Sequence, residues 1–593
     1  MRRYRHLLVG CVVSVLVLSL SAAQGASPAE KAGKPATKKP IVVSLTLEGE
    51  YPEGPGSPGI FGDLEPSLDN IIRRIDAAAA DTNVLAVWLK IDDLAVGRAK
   101  IYELRGAIAK LRKANKPVYA ELTSAGSGEY LLATACDQVV MPPPGVLVIP
   151  GVRAEITFYK GLLDKLGLEF DILKMGKYKG AAEPFTRKDM SKPLRESYES
   201  LVDDFYQDML SVIAASRHLK DYEVKTYVDR GLFSAEDAKK AGLIDEVLYT
   251  DQLEDAIKKK LKVEKIEIVT DYKKEKIDAD FSGLSGMIKL IEVLTGGKPS
   301  AGISKKPKIA VVYAVGSIVE GKSSSGMFSS SVLGSTSTIA ALRKAADDPK
   351  VAAIVFRIDS PGGSATASDL IWHETMRIKK PIIASMGDVA GSGGYYIAMG
   401  AKKIYAAPGT LTGSIGVIGG KLVTRGLYDK LGLNKEIIAR GANSGAMSSS
   451  QPFSPSERKV WLEMMEDTYH RFVRQAAEGR KMTYERLEEL AQGRVYTGLT
   501  AKKLGLVDEL GTLEDAIVAA KTSAGLKADA DVDLLVLPEP KTIFEQLFGD
   551  PSASTDADSL VSEGMRLLQQ SKMLRQVLSQ RILTWMPYDV QVK

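Results

Sequence analysis

The residues best suited to take part in a chemical reaction lie in two glycine-rich stretches of the second half of the chain. In AGSGGYYIA (390–398), Ser392 stands between glycines just before a helical pattern, so a substrate could approach its hydroxyl closely. Free N–H groups at the start of that helix would point at the same place, and the N–H of Gly393 is one candidate oxyanion donor. A second is the N–H of Gly363 in RIDSPGG (357–363), where a Pro-Gly-Gly turn follows a strand. Together these features indicate a serine nucleophile with an oxyanion hole.

A serine nucleophile needs a base, and the stretch around Ser392 does not supply one. His373, on the helical run ASDLIWHETMRI, is expected to face away if that helix leads off the Pro-Gly-Gly turn. A lysine can act as the base when burial removes its charge. Its pKa would have to fall from about 10.4 to near 7, which costs about 4 kcal/mol. The residues alone do not select one lysine among the many in the chain.

These motifs belong to an internal repeat. GLLDKLGL at 161–168 recurs as GLYDKLGL at 426–433, an offset of 265 residues. AGSGEYLLA at 125–133 recurs at the same offset as the stretch around Ser392, and AKKAGLIDE and LEDAI recur in the same order at offsets of 263 and 260. So long a period excludes a solenoid of short repeats and indicates a duplicated domain.

Each half alternates short apolar strands with helical patterns, which predicts an α/β fold. We expect an N-terminal repeat over 41–280 and a C-terminal repeat over 308–540, joined by a connector over 281–307. The remaining residues, 541–593, are expected to form a tail with a terminal helix over roughly 558–583.

The duplication also allows the candidate site in one half to be compared with the equivalent position in the other half. The N-terminal counterpart of the Pro-Gly-Gly turn is KIDDLAVG (90–97), which lacks that tripeptide. Ser127 matches Ser392 at the offset of 265 but has no second oxyanion donor beside it. We therefore interpret Ser127 as a vestige and place the nucleophile in the C-terminal half.

The beginning of the chain is typical of an exported protein. MRRYRH is followed by an uncharged apolar run from Leu7 to Ala23, and residues 1–25 are expected to be a signal peptide or a retained membrane anchor. Residues 26–40, rich in Ala, Pro and Lys, are expected to be a flexible linker. The bulk of the chain is therefore expected to lie outside the cytoplasmic membrane. We expect it in a bacterial cell envelope, on the periplasmic side of the inner membrane, anchored or peripheral.

The composition argues against several other classes of protein. The 593 residues carry a formal net charge of only +5, with both signs interspersed, so there is no basic stripe for nucleic acid. The two cysteines cannot build a disulfide framework, and the four scattered histidines do not suggest a metal site. We expect neither a cofactor nor a metal.

Four motifs taken together identify a family. AGSGGYYIA, GTLTGSIGV (409–417), IDSPGG and MGKYKGAAEPFTRKDMS (175–191) resemble signal peptide peptidase A in its long, duplicated form, in the order typical of that family and over almost all of 41–540. The resemblance implies two tandem crotonase/Clp-protease-like domains and a Ser/Lys dyad peptidase. It also implies that the lysine comes from the N-terminal half, as Lys179, and that Ser414 orients its amine. Lys177 is interpreted as a bystander.

The repeat agrees with this assignment. The position 265 residues after Lys179 is Ser444, so the C-terminal half lacks the lysine, while the N-terminal half lacks the oxyanion turn. One composite site with Ser392 and Lys179 is therefore expected, formed either within one subunit or across two. Tyr395 and Tyr396 are expected to be core aromatics.

The resemblance further implies an endopeptidase that degrades cleaved signal peptides and other short apolar or unfolded peptides. It implies association with a membrane and a bowl-shaped homotetramer whose sites face an enclosed space. Two alternatives remain at this point. One is an acyl-CoA hydratase or isomerase, because the crotonase architecture also hosts those enzymes. The other is a non-catalytic scaffold for membrane peptides.

Overall fold

The computed structural model describes residues 40–54, 66–274, 306–326, 329–539 and 582–585. The expected export segment, all but the last residue of the expected linker, and residues 281–305 of the expected connector lie outside these ranges.

The described N-terminal half alternates strands and helices as predicted. In chain order its elements are β1 Ile41–Gly49, α1 Leu68–Ala80, β2 Val84–Leu94, α2 Arg98–Lys113, β3 Val118–Leu122, α3 Ser127–Ala133, β4 Gln138–Met141, β5 Val146–Val148, α4 Lys160–Leu166, β6 Glu169–Met175, α5 Glu183–Thr186, α6 Lys192–Arg217, α7 Asp221–Arg230, β7 Leu232–Ser234, α8 Ala235–Lys240, β8 Glu246–Val247, α9 Thr250–Leu261 and β9 Glu267–Val269.

The described C-terminal half repeats most of this order. Its elements are β10 Lys308–Val315, β11 Ser317–Val319, β12 Ser324–Gly326, β13 Ser329–Gly334, α10 Ser335–Asp347, β14 Val351–Ser360, β15 Gly362–Ser364, α11 Ala365–Arg377, β16 Ile382–Gly391, α12 Gly393–Ala398, β17 Lys403–Ala406, β18 Leu411–Gly413, β19 Val417–Val423, α13 Arg425–Leu431, α14 Pro455–Arg480, α15 Tyr484–Leu490, β20 Val495–Thr497, α16 Gly498–Lys503, β21 Glu509–Leu510, α17 Leu513–Ser523, β22 Asp533–Leu537 and β23 Ile582–Trp585.

Each half is built on its own largely parallel sheet. The N-terminal sheet has the order β8-β4-β3-β2-β1-β9, and the C-terminal sheet runs β20-β18-β16-β14-β10-β22, with β17 attached to β16 and β21 attached to β17. The apolar runs of β10 and β14 are buried on both faces because helices cover both sides of the sheet. The central strands of the two sheets correspond at the repeat offset, which confirms the predicted tandem α/β duplication.

A third sheet joins the two halves. Its order is β12-β13-β11-β15-β23-β19-β6, and β6 is its one strand from the N-terminal half among the described residues. Strand β6 runs antiparallel to β19 over seven residues, from Met175 opposite Val417 to Glu169 opposite Val423. This pairing carries the segment that follows β6 into the C-terminal half.

Strand β23 lies in the same sheet, between β15 and β19 and antiparallel to both. The helix predicted over roughly 558–583 is therefore wrong at its last two residues, because pairing on both sides holds them in an extended conformation; the rest of that prediction lies outside the described residues. In the part of the chain that the structure describes, no helix has both the length and the hydropathy to cross a bilayer.

Candidate active site

Ser392 lies where β16 ends and α12 begins. Its backbone has φ 55° and ψ −115°, a conformation that is strained for a residue other than glycine. This backbone conformation is stabilised by a hydrogen bond: the Ser392 N–H donates to the Gly413 carbonyl at 2.7 Å, at the end of the neighbouring strand β18. Ser392 is completely buried. It lies at the strand-to-helix transition that the sequence predicts.

Lys179 of the N-terminal half meets Ser392 in the C-terminal half. Its Nζ lies 2.8 Å from Ser392 Oγ, 2.8 Å from the Ser414 carbonyl oxygen and 2.9 Å from Ser414 Oγ. All three residues belong to the same chain, so the structure brings Ser392 and Lys179 together within one subunit. Ser414 contacts the amine through both its backbone and its side chain.

The surroundings of Lys179 favour an uncharged amine. Only 1% of the residue is exposed, and burial lowers its pKa well below the usual value near 10.5. A neutral amine has two N–H donors and one lone pair. The two N–H groups can donate to the oxygens of Ser414 while the lone pair accepts the proton of Ser392. This arrangement suits a general base.

A loop between α15 and β20 holds the backbone of Lys179. The Tyr178 N–H donates to the Gln492 carbonyl at 2.8 Å. Gly493 has φ 75°, and a Cβ on it would lie 2.6 Å from Lys179 Cβ. The same loop reaches the nucleophile side, because the Ser414 N–H donates to the Arg494 carbonyl at 2.7 Å. Sequence reasoning missed this loop, whose only signal is a glycine in AQGRVY.

The Pro-Gly-Gly stretch approaches the nucleophile turn from β14. Ser360 pairs with Ala390, and a Cβ on Gly394 would lie only 2.5 Å from the Ser360 carbonyl oxygen. Gly363 lies in the short strand β15, in register with Ile318 of β11 and with Thr584 of β23, and is therefore part of a sheet as well as of a turn. Gly393 is the first residue of α12.

The other residues singled out from sequence lie elsewhere. Ser127 begins α3 and its buried Oγ has no hydrogen-bond partner in the described structure. Lys177 places its ammonium over the Tyr178 ring, 4.8 Å from the centroid, and His373 is exposed on α11. Tyr395 and Tyr396 are fully buried in the core of the C-terminal half, as expected.

A buried ionic cluster ties the two halves together beside β14. Arg357 pairs with Glu53 at 2.7 Å and with Glu103 at 2.9 Å, and all three side chains are almost completely buried. Arg357 donates two hydrogen bonds to Glu53 but only one to Glu103, so it stabilises the two carboxylates unequally. Burial raises the pKa of Glu103 to about 7 despite Arg357, whereas Arg357 outweighs burial at Glu53 and lowers its pKa.

A second ion pair continues this cluster toward the nucleophile turn. Asp388, four residues before Ser392, accepts from the N–H of Ala99 at 2.9 Å, at the start of α2. Lys100 lies 3.4 Å from Asp388 and 3.8 Å from Asp359. The cluster thus connects the beginning of α2 to the strands that carry the candidate site. Sequence reasoning missed it, although an arginine inside the apolar run VAAIVFRID was a visible signal.

Comparison with known proteins places the chain among peptidases. The sequence profile of Peptidase family S49 matches residues 110–264 and 374–527, one stretch in each half. The chain is 34% identical over 521 residues to "Serine protease SPPA, chloroplastic" of Arabidopsis thaliana, covering 87% of this chain and 74% of that protein. It is 31% identical over 473 residues to "Protease 4" of Salmonella typhi, covering 78% and 73% respectively.

A point mutant of ClpP1 from Listeria monocytogenes aligns at 15% identity with a TM-score of 0.22, over 35% of this chain and 94% of that one.

Proposed function

The chain belongs to peptidase family S49 and is a serine protease, and we propose that Ser392 is its nucleophile and Lys179 its general base. The observation that carries this assignment is the 2.8 Å distance between Lys179 Nζ and Ser392 Oγ in a fully buried site. Family membership favours a peptidase over the acyl-CoA enzyme and the non-catalytic scaffold that the sequence left open.

The proposed reaction begins when Ser392 Oγ attacks a peptide carbonyl while its proton passes to the uncharged Lys179 amine. The N–H groups of Gly363 and Gly393 stabilise the oxyanion that forms. Lys179, now charged, donates the proton to the leaving amine, and the peptide bond breaks. A water molecule then attacks the acyl group on Ser392, with Lys179 again taking and returning the proton. Ser414 keeps the amine aimed at Ser392 throughout.

We propose that the substrate binds as an extended strand between β15 and β19. Strand β23 of the chain itself occupies this place, pairing with Gly363 on one side and with Ile418 on the other. It also lies against α12, which begins directly after Ser392. A peptide in the same position would use its backbone for binding, so that many sequences could be accepted as long as they are unfolded.

The proposed substrates are cleaved signal peptides and other short apolar or unfolded segments. We propose further that the protein acts in the bacterial cell envelope, on the periplasmic side of the inner membrane, as a homotetramer associated with the membrane. The sequence of the first 25 residues and the resemblance to signal peptide peptidase A support these points.

The roles can be tested with point variants and a chromogenic peptide ester. Ser392→Ala and Lys179→Ala should each lower kcat/KM by at least about a thousandfold, as expected for members of one catalytic unit. Ser414→Ala should lower kcat more than it raises KM, because it positions the lysine without binding substrate. Lys177→Ala is the matched control and should retain wild-type rates. Full activity in Lys179→Ala would refute the assignment of the base.

A further inference from the structure

Two carboxylates stand the same number of residues before the two turns of the candidate active site. Asp388, on β16, precedes Ser392 by four residues, and Asp359, on β14, precedes Gly363 by four residues. Lys100, near the start of α2 in the other half, pairs with both: its Nζ lies 3.4 Å from Asp388 and 3.8 Å from Asp359. The three side chains are between 14% and 19% exposed, so salt and water screen these attractions only weakly.

Strand β16 is irregular at the position of Asp388. Between the pairs Ile358–Met386 and Ser360–Ala390, β14 advances by two residues while β16 advances by four. A bulge of this kind interrupts the ladder of hydrogen bonds and changes the direction of the residues that follow it. The residues that follow this bulge are those of the nucleophile turn.

Side chains pair with the backbone groups that the bulge leaves out of the ladder. The N–H of Val389 donates to Asp359 Oδ1 at 3.0 Å, and the carbonyl of Gly387 accepts from Thr410 Oγ1 at 2.8 Å. The approach of Asp359 is close, because a Cβ on Gly387 would lie only 2.9 Å from Asp359 Cβ. Asp359 therefore holds the bulge directly, in addition to its ion pair with Lys100.

The N-terminal half has one residue fewer at this place. Met386 and Leu122 pair with matching positions of β14 and β2. Ala390 follows Met386 after four residues, whereas its counterpart Ala125 follows Leu122 after three. The counterpart of the aspartate on β14 is Asp92, which is exposed. The extra residue and the buried aspartate of β14 thus belong to the half that carries the proposed nucleophile and not to its copy.

Asp388 also fixes the beginning of α2, the helix that carries Lys100. This helix begins after Gly97, which has no side chain to cap it. The Asp388 carboxylate accepts instead from the N–H of Ala99 at 2.9 Å and from the N–H of Lys100 at 3.3 Å. A Cβ on Gly97 would lie 2.2 Å from Asp388 Cγ, so this contact requires glycine there. The backbone and the side chain of Lys100 are both held against β16.

We propose, on the basis of the function proposed above, that Lys100 is a positioning residue that sets the distance between the nucleophile turn and the oxyanion turn. By attracting both Asp359 and Asp388, it holds β14 and β16 together directly before the two turns meet. Without its ammonium the two carboxylates repel each other. The N–H groups of Gly363 and Gly393 then no longer converge on one oxygen, and oxyanion donors stabilise a transition state only when they are correctly placed beforehand.

The charge on Asp359 depends on pH in the neutral range. Burial raises the pKa of Asp359 to about 7; Asp388 and Glu53 add to this rise, whereas Lys100 and the Val389 N–H oppose it. Burial alone would lower the pKa of Lys100, but the three carboxylates raise it, so this amine stays charged. In a chain without Lys100, the two aspartates therefore repel each other mainly at alkaline pH, because Asp359 takes up a proton as the pH falls.

Steady-state cleavage of a fluorogenic peptide amide at about pH 9, with kcat normalised to folded protein, tests the positioning role. Lys100→Met should lower kcat by about 10- to 100-fold and leave KM within about twofold of wild type. The Ki of a peptide aldehyde, which adds to Ser392 and forms an oxyanion, should rise by the same factor. The loss of kcat should shrink as the pH is lowered to 7.

A second substitution tests whether repulsion is the cause. Adding Asp359→Asn to Lys100→Met should restore most of kcat at about pH 9, because no repulsion remains and the amide oxygen can still accept from the Val389 N–H. Asp359→Ala alone removes that acceptor and should lose at least about tenfold more kcat than Asp359→Asn alone.

Lys110→Met is the matched control. Lys110 lies ten residues further along α2 and also pairs across the two halves, with Glu514 at 3.8 Å. This variant should keep the wild-type kcat and aldehyde Ki even if its stability falls. A kcat loss in Lys110→Met equal to that in Lys100→Met would show a general effect of the interface and overturn the proposal.

Four further results would overturn it. They are a wild-type kcat in Lys100→Met, a loss confined to KM, a loss that does not change with pH, and no recovery in the double variant. If Lys100→Met does not fold, equal kcat values in Asp359→Ala and Asp359→Asn decide against the proposal. A wild-type rate in Ser392→Ala, measured in the same assay, would refute the proposed function instead.

Discussion

Lys179 Nζ and Ser392 Oγ are 2.8 Å apart although 213 residues separate them along the chain. Two features of the fold produce this proximity. The antiparallel pairing of β6 with β19 carries the lysine segment across to the C-terminal half, and the strained turn at Ser392 presents the hydroxyl to it. The site is therefore shared between the repeats of a single subunit, and neither repeat could form it alone.

The loop at Gly493 should be essential for placing the lysine. Gly493→Ala puts a Cβ 2.6 Å from Lys179 Cβ at a φ of 75°, so the backbone of one or both segments must shift. We expect kcat to fall by about 10- to 100-fold, because a shift of about 1 Å at a catalytic group costs that much. Gly525→Ala is the control, since Gly525 has φ 78° and its Cβ would meet nothing within 4 Å. Equal losses of kcat in both variants would mean that backbone strain, and not contact with Lys179, is responsible.

Burial of Lys179 should lower the free energy of unfolding by an amount that depends on pH. Burial lowers the pKa of Lys179, so the folded protein holds it uncharged while the unfolded chain binds a proton below about pH 10.4. Wild-type stability therefore increases as the pH rises toward 10. Lys179→Met lacks this dependence, and we expect it to be more stable than wild type by a few kcal/mol at pH 7, with a difference that shrinks toward pH 10. Urea unfolding at several pH values measures this, and a Met variant that is less stable at pH 7 would contradict it.

The two carboxylates that share Arg357 should respond to pH with opposite signs. Burial raises the pKa of Glu103 to about 7, so folding takes up a proton between about pH 4.5 and 7 and the stability falls as the pH rises through that range. Glu103→Gln removes this loss, worth on the order of 3 kcal/mol, and should flatten the stability profile below pH 7.

Glu53→Gln is the variant to compare with Glu103→Gln, because both carboxylates pair with Arg357. Arg357 lowers the pKa of Glu53, so its contribution is present above about pH 4.5 and disappears in acid. The variant should lose about 3–5 kcal/mol at pH 7 because a buried charge loses its better partner. If the unfolding curves of both variants change in the same way with pH, then Arg357 does not stabilise Glu53 more strongly than Glu103.

Truncation before Ile582 should expose the groove between β15 and β19. Strand β23 pairs with both of these strands and would have to leave before an extended peptide could take its place. We expect the truncated protein to show a lower KM for short peptide substrates with little change in kcat, because a competing internal strand reduces the binding-competent fraction. Steady-state kinetics measure this, and an unchanged KM would mean that substrate binds elsewhere.

Much of the fold follows from local pattern. The runs KIAVVYAVGSI and VAAIVFRID form the buried strands β10 and β14. A strand with apolar side chains on both faces is typical of the centre of a sheet that is covered on both sides. The repeat predicted the tandem architecture, since the same sequence pattern folds in the same way twice. The candidate pair Ser392 and Lys179 also came from the repeat and the family motifs, and the structure brings the two side chains into contact.

The features that sequence did not reveal are long-range. The third sheet is assembled from strands as short as three residues, whose glycines and serines lack the apolar alternation that identifies a strand. The loop at Gln492 and Gly493 looks like any turn until its contact with Lys179 is known. The residues of β23 fit a helical pattern locally, but pairing with β15 and β19 decides their conformation.

The most direct test of the central claim is the rate at which a fluorophosphonate phosphonylates Ser392 as a function of pH. If Lys179 acts as an uncharged base, the rate constant for wild type should rise with pH to a plateau, with a midpoint far below the ordinary lysine value of about 10.4. Lys179→Met should label slowly and without this transition, while Lys177→Met should match wild type. A Met variant that labels at the wild-type rate with the wild-type midpoint would contradict the account.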